Sequence, residues 1–252
     1  MGRIGAHVEQ TQTLELAKAV DADVIQTFLG DPQGWKDPVI PDGIEDLAGA
    51  GVEFFIHAPY RLNVATTNNR IRIPSRKLLD KQAAAAAKIG AKGLIVHGGH
   101  LQADEDPAIG YANWRKVFER SSFDLPILIE NTAGGDNAMT RSLDSLARLW
   151  DTLDGIEVGF CLDTCHAFAA GEPLEGLVER IRAITGRIDL VHANNSRDEF
   201  GSTRDRHANL ESGEIDPQQI VSVIREAGAP AIVETPEAGQ EADIAYLRQH
   251  LS

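Results

Sequence analysis

Eight short apolar runs, rich in β-branched residues, recur along the chain and alternate with segments that have helical patterns. They occupy residues 3–6, 24–28, 52–56, 93–96, 127–129, 158–162, 189–191 and 231–233. Alternation of nearly continuous apolar strands with helices is typical of a parallel sheet covered by helices, which any α/β fold shares. Eight such repeats within 252 residues favour a closed barrel over an open sheet. The sequence therefore predicts an α/β fold, a single (β/α)8 TIM barrel domain that spans residues 1–252.

Residues that can cap a helix precede several of the helical segments. Asp216 and Pro217 predict a helix over residues 217–227, because proline is favoured at the first helical position and Gly228 follows the end. The alanine-rich run at 83–87 predicts a helix that stops at Gly90. The other helix starts are expected at Ser75, after Pro74, and at Thr140 or Ser142.

The charge balance gives only weak information about partners. The chain has 38 acidic and 24 basic residues and a formal charge of -14, whereas proteins that bind nucleic acid usually show a basic excess. Three divalent cations would add six positive charges, all in one site, so the global balance does not exclude DNA. The two cysteines, Cys161 and Cys165, make no disulfide framework and indicate a reducing compartment. We expect neither a signal peptide nor a membrane span, and therefore a cytoplasmic protein.

Histidines and carboxylates follow directly after most of the apolar runs. In a barrel, such positions converge at the carboxyl ends of the strands, where the chemistry is placed. A lone histidine there is more often a hydrogen-bonding residue than a ligand, but the whole set exceeds what one zinc ion needs. Five imidazoles and four carboxylates suit zinc, manganese or iron(II) better than magnesium or calcium. The candidate metal ligands are His57, His97, Glu130, Asp163, His166, His192, Asp205, His207 and Glu234.

Two or three neighbouring metal ions have a specific chemical use. They activate a water molecule at neutral pH, and they neutralise the attacking and leaving oxygens of a phosphoryl displacement. The sequence has no evident serine or cysteine nucleophile beside a base, and no Walker motif that would hold a nucleotide phosphate. A metal-dependent hydrolase is therefore the first hypothesis.

Several motifs resemble those of the endonuclease IV family, the apurinic/apyrimidinic endonucleases of base excision repair. The resemblance extends from Gly5-Ala-His-Val8 to Glu234-Thr235 and is most specific at the Asp-Thr-Cys-His-Ala run and at Asp-Arg-His. The matching stretches are His57-Ala-Pro-Tyr-Arg-Leu-Asn63, Glu130-Asn-Thr-Ala-Gly-Gly135, Cys161-Leu-Asp-Thr-Cys-His-Ala-Phe-Ala-Ala-Gly171 and Asp205-Arg-His207.

The resemblance implies a cluster of three zinc ions, with manganese or iron(II) at one position as an alternative. His57, His97 and Glu130 would hold the first ion. Glu130 would bridge to a second ion, which Asp163, His192 and Glu234 share, and His166, Asp205 and His207 would hold the third. A metal-activated water would cut the phosphodiester 5′ to an abasic site in duplex DNA, leaving a 3′-hydroxyl and a 5′-deoxyribose phosphate. Glu130 and Glu234 would be catalytic, and Glu234 would orient or deprotonate the nucleophile.

The predicted DNA contacts depart from the family in places. Tyr60 matches a position that the family inserts near the lesion. After the second strand the family often has a basic run before a tryptophan, but here Gln33 precedes Trp35 and Asp31 adds a negative charge. Asn195 replaces an aspartate and Glu211 replaces a glycine. Basic residues that could contact phosphates are Arg61, Arg70, Arg72, Arg197, Arg204 and Arg206.

Two other functions remain open from the sequence. A sugar isomerase or epimerase of the xylose-isomerase-like barrel group would need only one or two of the metals, so the third ligand set, which includes Asp205 and His207, argues against it. A catalytically silent binder of DNA damage would keep the basic loops and lose ligands, and all nine ligands are present. We therefore predict a monomeric abasic-site endonuclease.

Overall fold

Eight parallel strands close into a barrel in the structure, a computed structural model that describes residues 2–251. Two further short strands, β8 (Asn195–Ser196) and β9 (His207–Ala208), pair antiparallel outside it. Around the barrel the order is β1-β10-β7-β6-β5-β4-β3-β2. Each of the eight predicted runs is a barrel strand, which confirms the (β/α)8 fold. The barrel strands are β1 (Ile4–His7), β2 (Val24–Phe28), β3 (Glu53–His57), β4 (Leu94–His97), β5 (Ile127–Glu130), β6 (Gly159–Asp163), β7 (Leu190–His192) and β10 (Ala231–Val233).

Helices follow the strands and surround the barrel. Two short 3-10 helices, Leu210–Ser212 and Glu237–Gly239, lie in loops. Within residues 2–251, no helix has the length and apolar character needed to cross a membrane. The α-helices are α1 (Thr13–Ala19), α2 (Asp46–Gly49), α3 (Asn69–Lys88), α4 (Pro107–Arg120), α5 (Leu143–Thr152), α6 (Thr164–Ala170), α7 (Leu177–Thr185), α8 (Pro217–Ala227) and α9 (Gln240–Leu251).

Helix boundaries agree with the capping predictions except at α3. The side chains of Ser142 and Asp216 accept hydrogen bonds at the starts of α5 and α8 as predicted. The prediction that Ser75 starts α3 is wrong, because the side chain of Asn68 accepts from the backbone N–H of Arg70 at 3.0 Å and begins the helix seven residues earlier. Pro74 is accommodated inside α3, and the Ser75 hydroxyl instead accepts a hydrogen bond from the backbone N–H of Asn63.

The core has two parts. The larger cluster fills the space between the strands and the helices. A smaller one takes one side chain from each of seven barrel strands, as expected for the filled interior of a barrel. Strand β1 contributes none of these, since Gly5 lies against the backbone of β2. The interior residues are Val24, Phe55, Ile95, Leu128, Cys161, Leu190 and Ile232.

Gly5→Ala is expected to destabilise the barrel, because a Cβ at this position would lie 1.6 Å from the backbone oxygen of Val24. Relieving that clash requires β1 and β2 to separate, and overpacking of this kind costs about 1–3 kcal/mol or more. Urea unfolding of the variant would measure the loss. Gly49→Ala is the matched control, because nothing lies within 4 Å of its Cβ position; equal stability of the two variants would contradict the packing argument.

Candidate metal centre

The ends of five consecutive barrel strands each carry a candidate ligand. The last residues of β3 to β7 are His57, His97, Glu130, Asp163 and His192, in that order. Glu234 directly follows β10. Because parallel strands end at the same mouth of a barrel, the register of the sheet alone brings these six side chains together.

The remaining three candidates are placed by local structure. His166 lies in the first turn of α6, where Oδ1 of Asp163 caps the helix by accepting a hydrogen bond from the His166 N–H at 2.7 Å. Asp205 comes from the segment that joins β8 to β9, and His207 is the first residue of β9. That pair of strands was not predicted from the sequence, because two residues are too few to show a periodicity. The antiparallel pairing of β8 with β9 turns the chain between them back over the barrel mouth.

The nine side chains form three groups within which the potential ligand atoms lie within 4.8 Å of one another. Glu130 belongs to two groups: its Oε2 is 3.1 Å from Nε2 of His57, and its Oε1 is 3.0 Å from Nδ1 of His192. The sulfur of Cys165 also lies within 4.8 Å of potential ligand atoms of Asp163 and His207. Burial raises the pKa of Cys165 to about 12, which keeps the thiol protonated. The groups are His57, His97 and Glu130; Glu130, Asp163, His192 and Glu234; and His166, Asp205 and His207.

Three of the imidazoles are oriented by backbone carbonyl groups. The Nδ1 atoms of His57, His166 and His207 lie 2.7, 2.9 and 3.2 Å from the carbonyl oxygens of Ala58, Asn131 and Glu234. A carbonyl oxygen can only accept, so each Nδ1 donates its hydrogen, and in the neutral ring Nε2 keeps the lone pair. The Nε2 atoms therefore face the cluster as ligands, which is the usual arrangement of histidines that bind metals.

Two buried nitrogens in the third group lack a hydrogen-bond partner within residues 2–251. These are Nε2 of His166 and Nε2 of His207. Each lies 3.1 Å from the same oxygen of Asp205, yet neither contact has hydrogen-bond geometry. Two imidazole nitrogens and a carboxylate oxygen that converge in this way fit a cation between them, once the imidazoles are deprotonated. The donor set, imidazole and carboxylate, is one that zinc accepts.

The buried charges of the site compensate one another. Burial raises the pKa of Glu130, but the positive charges of His192 and His97 outweigh this and hold the pKa well below its usual value. Burial lowers the pKa of His166, but Asp163 and Asp205 outweigh it and hold that pKa well above normal. Without a cation the groups thus form a network of paired charges. Binding a metal must displace protons from such imidazoles.

Two asparagines that the sequence analysis did not identify hold the carboxylates in place. Asn131 exchanges two hydrogen bonds with the backbone of Asp163, at 2.7 and 2.9 Å. Asn194, fully buried, donates to Oδ2 of Asp163 at 2.7 Å and accepts from the backbone N–H of Glu234 at 2.7 Å. Asn194 therefore links candidate ligands on β6 and after β10. Its position, two residues beyond a strand-end histidine, is a sequence signal for it.

Asn195, where the resembled family has an aspartate, makes no side-chain hydrogen bond to a candidate ligand among the described residues. Its side chain donates to the carbonyl groups of Leu210 and Ile215, at 2.6 and 2.7 Å, and accepts from the backbone N–H of Ser196 and Ile215. These hydrogen bonds stabilise the loop that follows β9. Glu211 lies exposed in the 3-10 helix of that loop.

Two cavities of about 520 and 680 Å³ open at the barrel mouth, next to the candidate ligands. Tyr60 lines both, is 43% exposed, and packs its ring 5.2 Å from that of His57 and 5.6 Å from that of His97. The predicted DNA-contact residues that also line these cavities are Gln33, Arg61, Arg197 and Arg206.

Several of the predicted DNA-contact residues lie apart from the cluster or are already paired. Trp35 and Arg70 line a separate groove against α3, and Arg72 donates to Asn113 at 2.8 Å. Both Arg204 and Arg206 form ion pairs with Asp198. By contrast, Arg61 is exposed and has no ion pair or side-chain hydrogen bond among the described residues. For all of these residues, contact with DNA stays a prediction.

The barrel fold and the histidines and carboxylates at its mouth define the class of TIM barrels that hold metals at the strand ends. Comparison with known proteins agrees with this class. The family described as xylose isomerase-like TIM barrel matches residues 14–250. A D-tagatose 3-epimerase-like protein of known structure shares this fold, with a TM-score of 0.78 at 20% identity over 99% of this chain and 97% of that one. At this identity the likeness concerns the fold alone.

Two relatives place the chain more closely. A protein of Mycobacterium tuberculosis named "Probable endonuclease 4" is 55% identical over 246 residues, which cover 98% of each chain. The crystal structure of endonuclease IV from Thermus thermophilus superposes with a TM-score of 0.84 at 27% identity, over 99% of this chain and 98% of that one. The chain belongs to the endonuclease IV family.

Proposed function

We propose that this protein is a zinc-dependent abasic-site endonuclease that acts in base excision repair. It cuts the phosphodiester 5′ to an abasic site in duplex DNA and leaves a 3′-hydroxyl and a 5′-deoxyribose phosphate. The observation that carries the proposal is the convergence of three ligand groups around Glu130 at the barrel mouth, in a chain 55% identical to a protein named "Probable endonuclease 4". Three ligand groups suit a phosphodiester, whose attacking and leaving oxygens both need neutralisation.

The residues that would hold the three ions are those of the three groups. His57, His97 and Glu130 would hold one, and Glu130 would contribute to a second together with Asp163, His192 and Glu234. His166, Asp205 and His207 would hold the last, where two buried nitrogens lack another partner in the described chain. When bound, the ions supply an activated water and positive charge for the transition state.

The chain's own side chains bind and orient the substrate around that centre. Glu234 is kept ionised, since the charge of His192 outweighs the burial that raises its pKa and brings the pKa to about 2; it accepts a hydrogen bond from the attacking water and so orients it. Tyr60 stays a neutral phenol, because the burial of part of its side chain raises its pKa, and the exposed part of its ring contacts the lesion. Arg61, Arg197 and Arg206 line the mouth and bind phosphates.

The test is incision of a labelled duplex that carries one stable abasic analogue, with the metals in the protein quantified. The proposal expects one cut, immediately 5′ to the lesion, with a 3′-hydroxyl that a DNA polymerase can extend. An intact duplex of the same sequence is the control substrate. Cutting 3′ to the lesion, or no cutting with three metals bound, would contradict the proposal.

A sugar isomerase or epimerase on the same barrel is the alternative. The third ligand group, with Asp205 and His207, argues against it, because a proton or hydride shift on a sugar needs at most two metals. Conversion of an aldose or ketose by protein that holds one or two metals and leaves abasic DNA intact would favour this alternative.

Arg61→Ala is expected to weaken DNA binding and to reduce its salt dependence. An arginine that contacts one phosphate contributes about one unit to the slope of log affinity against log salt, and Arg61 has no competing ion pair among the described residues. Binding of abasic duplex at several salt concentrations measures the slope. Arg120→Ala, at the opposite end of the barrel in the last turn of α4, is the control. An unchanged slope in Arg61→Ala would remove this residue from the interface.

We also propose that the chain acts as one barrel domain, as a monomer in the cytoplasm. The C-terminal helix α9 supports a single domain, because the side chain of Gln240 donates to the carbonyl group of His7 on β1 at 3.2 Å. Light scattering of the loaded enzyme tests the oligomeric state.

A further inference from the structure

Gln26 is a buried polar residue in the middle of strand β2, with no accessible surface. Its side chain reaches three others at the barrel mouth. Nε2 lies 2.6 Å from Oε1 of Glu234 and 2.9 Å from Nδ1 of His7. Oε1 lies 2.8 Å from Nε2 of His192. Two of these three partners are candidate metal ligands from other strands, and Gln26 is not itself one.

The chemistry of the partners determines which way the Gln26 amide points. The carboxylate of Glu234 can only accept, so the atom that faces it must be the amide nitrogen. The same nitrogen donates its second hydrogen to His7. The amide oxygen is therefore the atom that faces His192, and since it can only accept, Nε2 of His192 must carry a hydrogen.

His192 is consequently oriented in the opposite sense to three of the other imidazoles of the site. His57, His166 and His207 donate Nδ1–H to backbone carbonyl groups, whereas His192 donates Nε2–H to a side chain. Its Nδ1 faces the carboxylates, at 3.0 Å from Glu130 and 3.2 Å from Glu234. A lone pair on Nδ1 is thus available only in the tautomer that Gln26 selects.

Gln26 also orients Glu234. While Oε1 of Glu234 accepts from the Gln26 amide, Oε2 is the atom near Nδ1 of His192. Oε2 also accepts from the side chain of Asn194 at 3.2 Å. One amide group therefore holds two ligands of the same group, each by the atom that faces away from the ion position.

We propose that Gln26 is the positioning residue for the ion held by Glu130, Asp163, His192 and Glu234. It makes His192 bind through Nδ1 and directs Oε2 of Glu234 to the same ion. This inference rests on the proposed function for the presence of the ion, but it concerns metal binding and needs no DNA. Hydrogen-bond partners of metal ligands commonly change metal affinity by about 10- to 100-fold when removed.

The first test is a zinc titration of Gln26→Leu against a competing chelator. We expect one of the three ions to bind about 10- to 100-fold more weakly, with the other two unchanged. Gln82→Leu is the matched control, because Gln82 is an equally buried glutamine on α3, 1% exposed and away from the mouth. Three ions bound by Gln26→Leu with unchanged affinity would overturn the proposal.

The second test observes the His192 ring directly. In zinc-loaded protein labelled with nitrogen-15, ring signals assigned by substitution should show His192 bound through Nδ1 with a hydrogen on Nε2. Gln26→Glu keeps an oxygen that accepts from Nε2 of His192 but places a carboxylate against Glu234, so it should preserve this tautomer and release Glu234, whereas Gln26→Leu should lose both. Zinc on Nε2 of His192 in the unsubstituted protein would overturn the proposal. Failure to cut abasic DNA with these signals intact would instead count against the proposed function alone.

Discussion

Stripping the metals with a chelator is expected to abolish incision of abasic DNA, by about 10³-fold or more, and zinc should restore it. Metal ions contribute several kcal/mol to the stabilisation of transition-state charge, and each 1.36 kcal/mol corresponds to a factor of about ten in rate. The structure offers no substitute for that charge at the mouth, because the arginines nearest to the cluster in the described chain pair with Asp198 or lie at its rim.

The same treatment is expected to lower the thermal unfolding midpoint by about 10 °C or more. A single ion present at about 1,000 times its dissociation constant stabilises the folded state by about 4.1 kcal/mol, and about 2–4 °C correspond to each kcal/mol in a chain of this size. About 10 °C is therefore the smallest shift expected, that of one ion. The stripped protein should nevertheless stay folded, since both parts of the core are built from buried side chains that are not themselves candidate ligands. Calorimetry with and without added zinc measures the shift.

The control is magnesium, which should restore neither property because its preferred ligands are oxygens and water rather than imidazole. Undiminished incision by protein that contains no zinc, manganese or iron on elemental analysis would contradict the metal-dependent mechanism.

The barrel was predictable because its strands leave a strong signal. Each is a run of buried and mainly apolar residues, and runs of this kind cannot be exposed at either face of a parallel sheet. The prediction for the start of α3 is wrong for a local reason. A proline such as Pro74 usually marks a helix boundary, whereas here the Asn68 side chain supplies a cap early enough for the proline to lie inside the helix.

The candidate site was predictable as far as strand ends determine it. The nine candidates do converge: the register of parallel strands places six of them at one mouth, whereas the other three are placed there by α6 and by the segment that leads into β9. The supporting residues were not predictable, since Gln26 and Asn194 are single polar residues whose partners lie up to 208 positions away in sequence. Likewise, the pairing of Arg204 and Arg206 with Asp198 depends on how the segment between β8 and β9 folds back, which residue type alone does not reveal.

Glu130→Gln is expected to reduce incision by about 10³-fold and to reduce the number of tightly bound metals from three to one. Glu130 is the one residue that belongs to both the first and the second ligand group, through different oxygens. Glutamine keeps the shape of the side chain, but its single oxygen cannot bridge two ions and its charge is lost. Only the group of His166, Asp205 and His207 keeps its full ligand set. The loss of rate follows from the several kcal/mol that metal ions contribute.

Metal analysis after gel filtration, together with single-turnover incision rates, distinguishes this outcome from simple misfolding. Glu172→Gln serves as the control, because Glu172 is a partly buried carboxylate that pairs with Arg180 outside the cluster; it should retain three metals and the full rate. If Glu130→Gln bound three metals but still lost activity, Glu130 would act on the substrate rather than as a bridge. If the variant kept all three metals and the full incision rate, the three ligand groups would not form one centre. The convergence at the strand ends would then have to be explained by charge pairing alone.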